Sequence, residues 1–272
     1  GIMVTHDRTP TRTRHASAHH VPVPLMSRAP GRVAGWMWGL LVVLALVVGA
    51  VWAGSGPLRS IVSSAPPALG RAECTVTTQD GDVPLTREEA KAATTAVVRG
   101  ADASAVPGVE PTVMERLTHG PPDDAGPSLR CRGHSSEGLE AQEITPSGLT
   151  PRAEAVRDAM IEVFGPLSLG GFAPGGVGHG HGENSTHYDG RAVDVFFRPV
   201  TEENRRQGWQ LAHWLVAHAE DLDVQYVIFD DMVWGSRSPA GRWHPYNAPA
   251  PANEILRHLD HVHVDVVRGE PA

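Results

Sequence analysis

Two stretches of the chain concentrate residues able to bind a metal or move a proton. Between Ser185 and Asp194 the sequence reads S-T-H-Y-D-G-R-A-V-D, with His187 and Asp194 flanking Gly190. Far downstream, His258 to Asp265 reads H-L-D-H-V-H-V-D. Strand side chains alternate faces, so Val262, Val264 and Val266 share one side and His261, His263 and Asp265 the other. The valines suit burial against helices, and the histidines then point together into something polar. Two neutral imidazoles side by side suit a metal or a proton-transfer site. His187 reads as a loop residue, with Gly190 free to adopt the positive-φ bend that leads into the strand carrying Asp194. Two imidazole nitrogens and one carboxylate oxygen leave the fourth position of a zinc ion for water, the pattern of a catalytic centre.

The surrounding elements must hold those two stretches together. Thr150 caps a helix that has Pro151 in its first turn, a stripe of Val156, Met160, Ile161 and Phe164, and Gly165 as its stop. A glycine-rich loop, 165–184, follows, and A-V-D-V-F-F over 192–197 reads as a strand. Residues 202–220 read as a helix with Trp209, Ala212, Leu215 and Val216 inward. Runs 224–229 and 232–234 pair as a hairpin across Asp230-Asp231, and a short helix over 253–258 leads to the last strand. The fold class is α+β: a small antiparallel sheet with flanking helices at the C-terminus, following one transmembrane helix and a small α/β module.

The chain of 272 residues carries a net charge of −8, so no basic face argues for nucleic acid. Its hydrophobic content of 41% allows a core, while 29 glycines and 23 prolines predict irregular stretches. Residues 1–32 read as a disordered cytoplasmic tail, arginine-bearing and polar. Residues 33–58 hold no charge, and an apolar run of about 20 residues spans a bilayer. Trp36, Trp38 and Trp52 mark its interfaces. The arginines before it place the N-terminus in the cytoplasm and the C-terminal domain outside, a single-pass arrangement in the cell membrane. A cleaved signal peptide ending near Ala53 is the alternative.

Residues 59–72 form a linker, and 73–135 a small module of two strands and a helix capped by Thr86 and Glu89. A second linker, 136–148, leads to the domain at 149–268. Cys74 and Cys131 both lie beyond the apolar segment. One disulfide in an oxidising compartment is the favoured reading, two unpaired buried thiols the alternative.

The pattern S-x-H-x-x-G-x-A-x-D followed by H-x-x-H-x-H resembles the zinc peptidases of the D-Ala-D-Ala carboxypeptidase and LAS group, which share a fold with the hedgehog signalling domain. The resemblance covers roughly 149–268. It implies Zn2+ held by His187, Asp194 and His263, with His261 at the catalytic histidine position and His258 as an outer histidine. It also implies peptidoglycan stem peptides as substrate. Ser185 fills a motif position and, with Arg191, is a substrate-binding candidate. The family's carboxylate-gripping arginine, upstream of the first ligand, has no counterpart here, because no arginine lies between Arg157 and Arg191.

His261 is the expected general base, two residues from a ligand on the same strand face, and Asp260 its rival. Asp265 is placed to orient a ligand histidine. His179 and His181, in G-H-G-H-G, read as a solvated loop, with a substrate-facing loop or a second metal as the alternative, and His213 and His218 as surface or satisfied core. The expected function is a membrane-anchored zinc metallopeptidase acting on peptidoglycan. The alternative is a non-catalytic wall-binding or scaffold module that keeps the fold.

Overall fold

The last strand, β9 (His261–Val266), is buried at every position and lies inside a six-stranded antiparallel sheet of order β4-β5-β9-β6-β7-β8. Its neighbours are β5 (Ala192–Phe196) on one side and β6 (Val224–Phe229) on the other. The remaining strands are β4 (Leu169–Gly170), β7 (Met232–Gly235) and β8 (His244–Pro245). The computed structural model describes residues 72–101, 106–121 and 126–271.

Registry does the positioning. The β5–β9 pairing sets Asp194 opposite His263 and Phe196 opposite His261, so the carboxylate of the first motif faces the imidazoles of the second. On the other side of β9 the register with β6 slips between Val224 and Tyr226. At this bulge the Tyr226 amide donates to Asp265 Oδ1 at 3.1 Å, so an acidic side chain satisfies the disturbed ladder. Strands β6 and β7 join across Asp230 and Asp231, both at positive φ, the backbone that a two-residue turn between twisted strands requires.

Val262, Val264 and Val266 pack into a core with Leu211, Leu215 and Val216 of helix α4 (Glu202–Ala217) and with Val156 and Met160 of helix α3 (Pro151–Phe164). Thr150 caps α3 through Ala153 N, and Gly165, at φ +77°, ends it. The expected helix over 253–258 is instead a short turn, in which Asn253 accepts bonds from Leu256 N and Arg257 N. Its backbone then rises through His258, at φ +53°, into β9.

Upstream, β1 (Cys74–Thr78), β2 (Gly81–Leu85) and β3 (Leu129–Cys131) form a three-stranded antiparallel sheet of order β2-β1-β3. Helices α1 (Arg87–Val98) and α2 (Pro111–His119) accompany it, and Thr86 with Glu89 forms a capping box on α1. Cys74 and Cys131, opposite one another across β1 and β3, are disulfide-bonded and buried.

This sheet shares one core with the C-terminal residues. His213 Nε2 on α4 accepts from Ser128 N at 3.0 Å, Trp214 Nε1 donates to Thr95 Oγ1, and Trp234 Nε1 donates to Cys131 O. Large aromatic bodies are thereby buried with their polar edges satisfied. Residues 139–141 run beside Glu270, exchanging backbone hydrogen bonds with it.

The architecture of the described residues is α+β, with two small antiparallel sheets and four helices. Among them no helix is long and apolar enough to cross a membrane. The expected tail at 1–32, the expected span at 33–58 and nearly all of the linker at 59–72 lie outside the described residues.

Candidate metal centre

Asp194 on β5, His263 on β9 and the loop residue His187 bring three donor atoms together. His263 Nδ1 lies 3.1 Å from His187 Nε2 and 3.1 Å from Asp194 Oδ1, and His187 Nε2 lies 3.3 Å from Asp194 Oδ1. A tetrahedral centre with metal–ligand bonds near 2.0–2.1 Å has edges of about 3.3–3.4 Å. The triangle of donors therefore has nearly the size of one face of such a centre.

The outer shell fixes which atoms face inward. His187 Nδ1 lies 2.8 Å from Gly171 O, and a carbonyl only accepts, so that nitrogen carries the proton and Nε2 presents a lone pair. His263 Nε2 lies 3.1 Å from Asp265 Oδ2, so it donates there and Nδ1 faces the triangle. Asp265 is itself held by Thr186 Oγ1 and Tyr226 N. With both inner nitrogens unprotonated, two lone pairs and a carboxylate oxygen face one another, an arrangement that either a shared proton or a metal cation satisfies. Burial works against a charge on His263, but its bonds to Asp194 and Asp265 outweigh burial and push its pKa up to about 9. Burial likewise opposes ionisation of Asp194, yet His187 and His263 hold its carboxyl well below the usual range. The electrostatics favour positive charge at this point, and a divalent ion fits the donor set as well as a proton does.

Local sequence explains why His187 can sit there. Gly171 is at φ +78°, and a Cβ on it would lie 2.3 Å from His187 Cε1 and 2.9 Å from Asp194 Oδ2. Only a residue without a side chain lets the backbone carbonyl reach Nδ1. Gly190, at φ +66°, turns the chain into β5, and its carbonyl accepts from Thr150 N. Ser185 supports the loop: its Oγ accepts from His187 N and its carbonyl from Tyr188 N.

Around the triangle stand the other histidines. His261 Nδ1 lies 2.8 Å from Asp260 Oδ1, which leaves Nε2 facing Asp194 Oδ1 at 3.9 Å. Asp260 takes Arg198 Nε at 2.5 Å on its other oxygen. Burial opposes its charge, and the bonds from His261 and Arg198 hold its carboxyl below the ordinary value. β9 begins only at His261, so Asp260 is not bound by strand alternation and folds back as the partner of His261. The His258 ring lies 4.7 Å from that of His261 and 5.8 Å from that of His263, and edge-on to Tyr246. Burial, then its two histidine neighbours, depress the His258 pKa to about 3.

His181 stands beside the triangle, against the favoured reading of its segment as a solvated loop. Its ring stacks on that of His187 at 3.9 Å. His181, His187 and Asp194 form a His-His-Asp cluster able to hold a metal ion, with one ligand atom from each lying within 4.8 Å of the others. Burial, then the charge of His187, lowers the pKa of His181. A histidine between glycines carries no periodic signal, and the stacking on His187 corrects its reading as part of a solvated loop.

Arg191 stands away from the donors. Its guanidinium is committed to Val266 O, Gln225 Oε1 and Asp189, and ties β5 to the end of β9. Of the remaining histidines, His213 is buried and accepts from the backbone N–H groups of Ser128 and Leu129, and His218 Nδ1 contacts Trp214 O.

A comparison with protein families matches residues 145–254 to VldE, C-terminal domain. The matched part includes His181, His187 and Asp194 and ends before His258, Asp260, His261 and His263. Comparisons with curated proteins and with solved structures return no match.

Proposed function

We propose that the chain is a zinc metallopeptidase that hydrolyses peptide bonds in peptidoglycan stem peptides, held at the cell membrane by residues 33–58. The observation that carries the reading is the triangle of His187 Nε2, Asp194 Oδ1 and His263 Nδ1, with edges of 3.1–3.3 Å. Zinc bound there would supply Lewis-acid chemistry at the scissile carbonyl and would lower the pKa of a water to about 7. His187 and His263 would hold the metal through their inner nitrogens, and Gly171 O and Asp265 lock their ring orientations. Asp194 supplies the anionic donor.

His261 is the acid–base group. Asp260 fixes its Nδ1 proton, so Nε2 accepts a proton on the side facing Asp194 and returns it to the leaving amine. Arg198 holds Asp260 in turn. His258 packs against both histidines.

The test is hydrolysis of purified muropeptides by the full chain, followed by mass spectrometry of the products. Cleavage that stops with chelator, returns with zinc and is lost in His187→Ala is the expected result. Zinc binding without any cleavage would favour the second reading, a non-catalytic wall-binding or scaffold module that keeps the fold. One observation favours that alternative: Arg191, the arginine inside the motif, is bonded to the fold rather than free for a substrate carboxylate.

A further inference from the structure

We propose that His181 is an exchangeable fourth donor to the centre formed by His187, Asp194 and His263, and that the Tyr188 hydroxyl is the latch holding it there. The inference rests on the metal-centre reading above and extends it from the site's composition to its control. Three protein donors leave one tetrahedral position. The ring lying against the triangle on the loop side is that of His181, stacked on His187 at 3.9 Å. Its ligand atom lies within 4.8 Å of those of His187 and Asp194, at most roughly 1.5 Å beyond a tetrahedral edge. Coordination requires the His181 ring to tilt off its stack on His187, so that its nitrogen turns toward the other donors.

The latch is built from the residue next to the ligand. Tyr188 Oη donates to His181 O at 2.5 Å and accepts from His181 N at 2.9 Å, so one phenol holds both backbone groups of a single residue. Ser185 N adds a bond to Gly182 O at 3.2 Å. The flanking glycines are not demanded by packing. A Cβ on Gly178, Gly180 or Gly182 would meet nothing within 4 Å, and Gly180 alone of the three sits at positive φ. These glycines give the backbone freedom to swing once the phenol lets go. The inner donors are only 4–6% exposed, so the fourth position is covered while His181 is in place. A peptide carbonyl or a water takes that position when the His181 nitrogen leaves it. No proton or electron need move in the exchange.

The probe is Co2+, loaded into the full chain in place of zinc, with visible absorption read before and after addition of azide. Wild type should give a four-coordinate protein-ligand spectrum that azide does not change. His181→Ala should give a shifted spectrum that azide changes further, and should weaken zinc affinity by about tenfold or more in chelator competition. Tyr188→Phe, which keeps both rings, should render the spectrum azide-responsive. A His181→Ala spectrum and affinity coinciding with wild type would overturn the proposal, even where His187→Ala abolishes metal uptake. Failure of wild type to take up one equivalent would overturn the metal-centre reading and this inference together.

Discussion

His263 Nδ1 lies 3.1 Å from His187 Nε2, although 76 residues separate the two in the chain. The antiparallel register of β5 with β9 makes that meeting, because it places Asp194 opposite His263 and brings the loop before β5 over the same face. Neither histidine has a free choice of tautomer, since each is bonded at its outer nitrogen to a group that only accepts.

Asp265 should therefore matter to metal binding without touching metal. Asp265→Asn replaces an acceptor with an amide and frees His263 to rotate or to change tautomer. Zinc affinity should fall by about 10–100-fold. Competition against a chromophoric chelator measures this, and unchanged affinity would show that the bond to His263 Nε2 has no orienting role.

Asp260 should separate catalysis from binding. In Asp260→Asn the charge that holds the His261 tautomer is gone, while the three donors keep their own partners. Turnover of muropeptides should drop by about 10²–10⁴-fold with one zinc still bound. Metal content and kcat, measured on the same preparation, check the split.

Gly171 should tolerate no side chain. Its Cβ would overlap the His187 ring at 2.3 Å, at a φ of +78° that L residues rarely adopt. Gly171→Ala should lower stability by roughly 1–3 kcal/mol and displace His187 from the centre. Chemical denaturation together with zinc content reads both effects.

His213 predicts an acid limb of stability remote from the metal. Burial lowers its pKa from the ordinary 6.5 to about 3. The unfolded chain therefore binds a proton between those values that the folded chain refuses. The contribution of neutral His213 is full above about pH 6.5 and is lost as pH falls toward 3, by about 1.4 kcal/mol per pH unit. His213→Gln keeps an acceptor for Ser128 N and removes that slope. Urea unfolding at pH 7, 5 and 4 should show wild type losing more stability on acidification than the variant; parallel losses would contradict the assignment.

Much of the centre could be read from residue type and spacing. Alternation along 261–266 put three valines on one face and His261, His263 and Asp265 on the other, and the structure buries both faces. Capping residues at Thr86 and Thr150 marked helix starts because a cap is a local hydrogen bond. What was not legible depends on contacts between distant segments or on irregular backbone. His181 stacks on His187 only because a glycine-rich loop folds over, and no periodicity encodes that. Asp260 looked like a competitor of His261 until the start of β9 fixed it as the partner. The shared core of residues 73–135 with α4 rests on bonds such as Ser128 N to His213 Nε2, which link segments 85 residues apart.

The most direct test is the zinc content of the full chain at equilibrium after metal loading and exhaustive dialysis, read by elemental analysis alongside His187→Ala, Asp194→Ala and His263→Ala. One zinc per wild-type chain, and loss of it in each variant, is the result that a single centre shared by these residues predicts. Wild type without zinc, or three variants that all retain it, would contradict the centre and the chemistry drawn from it.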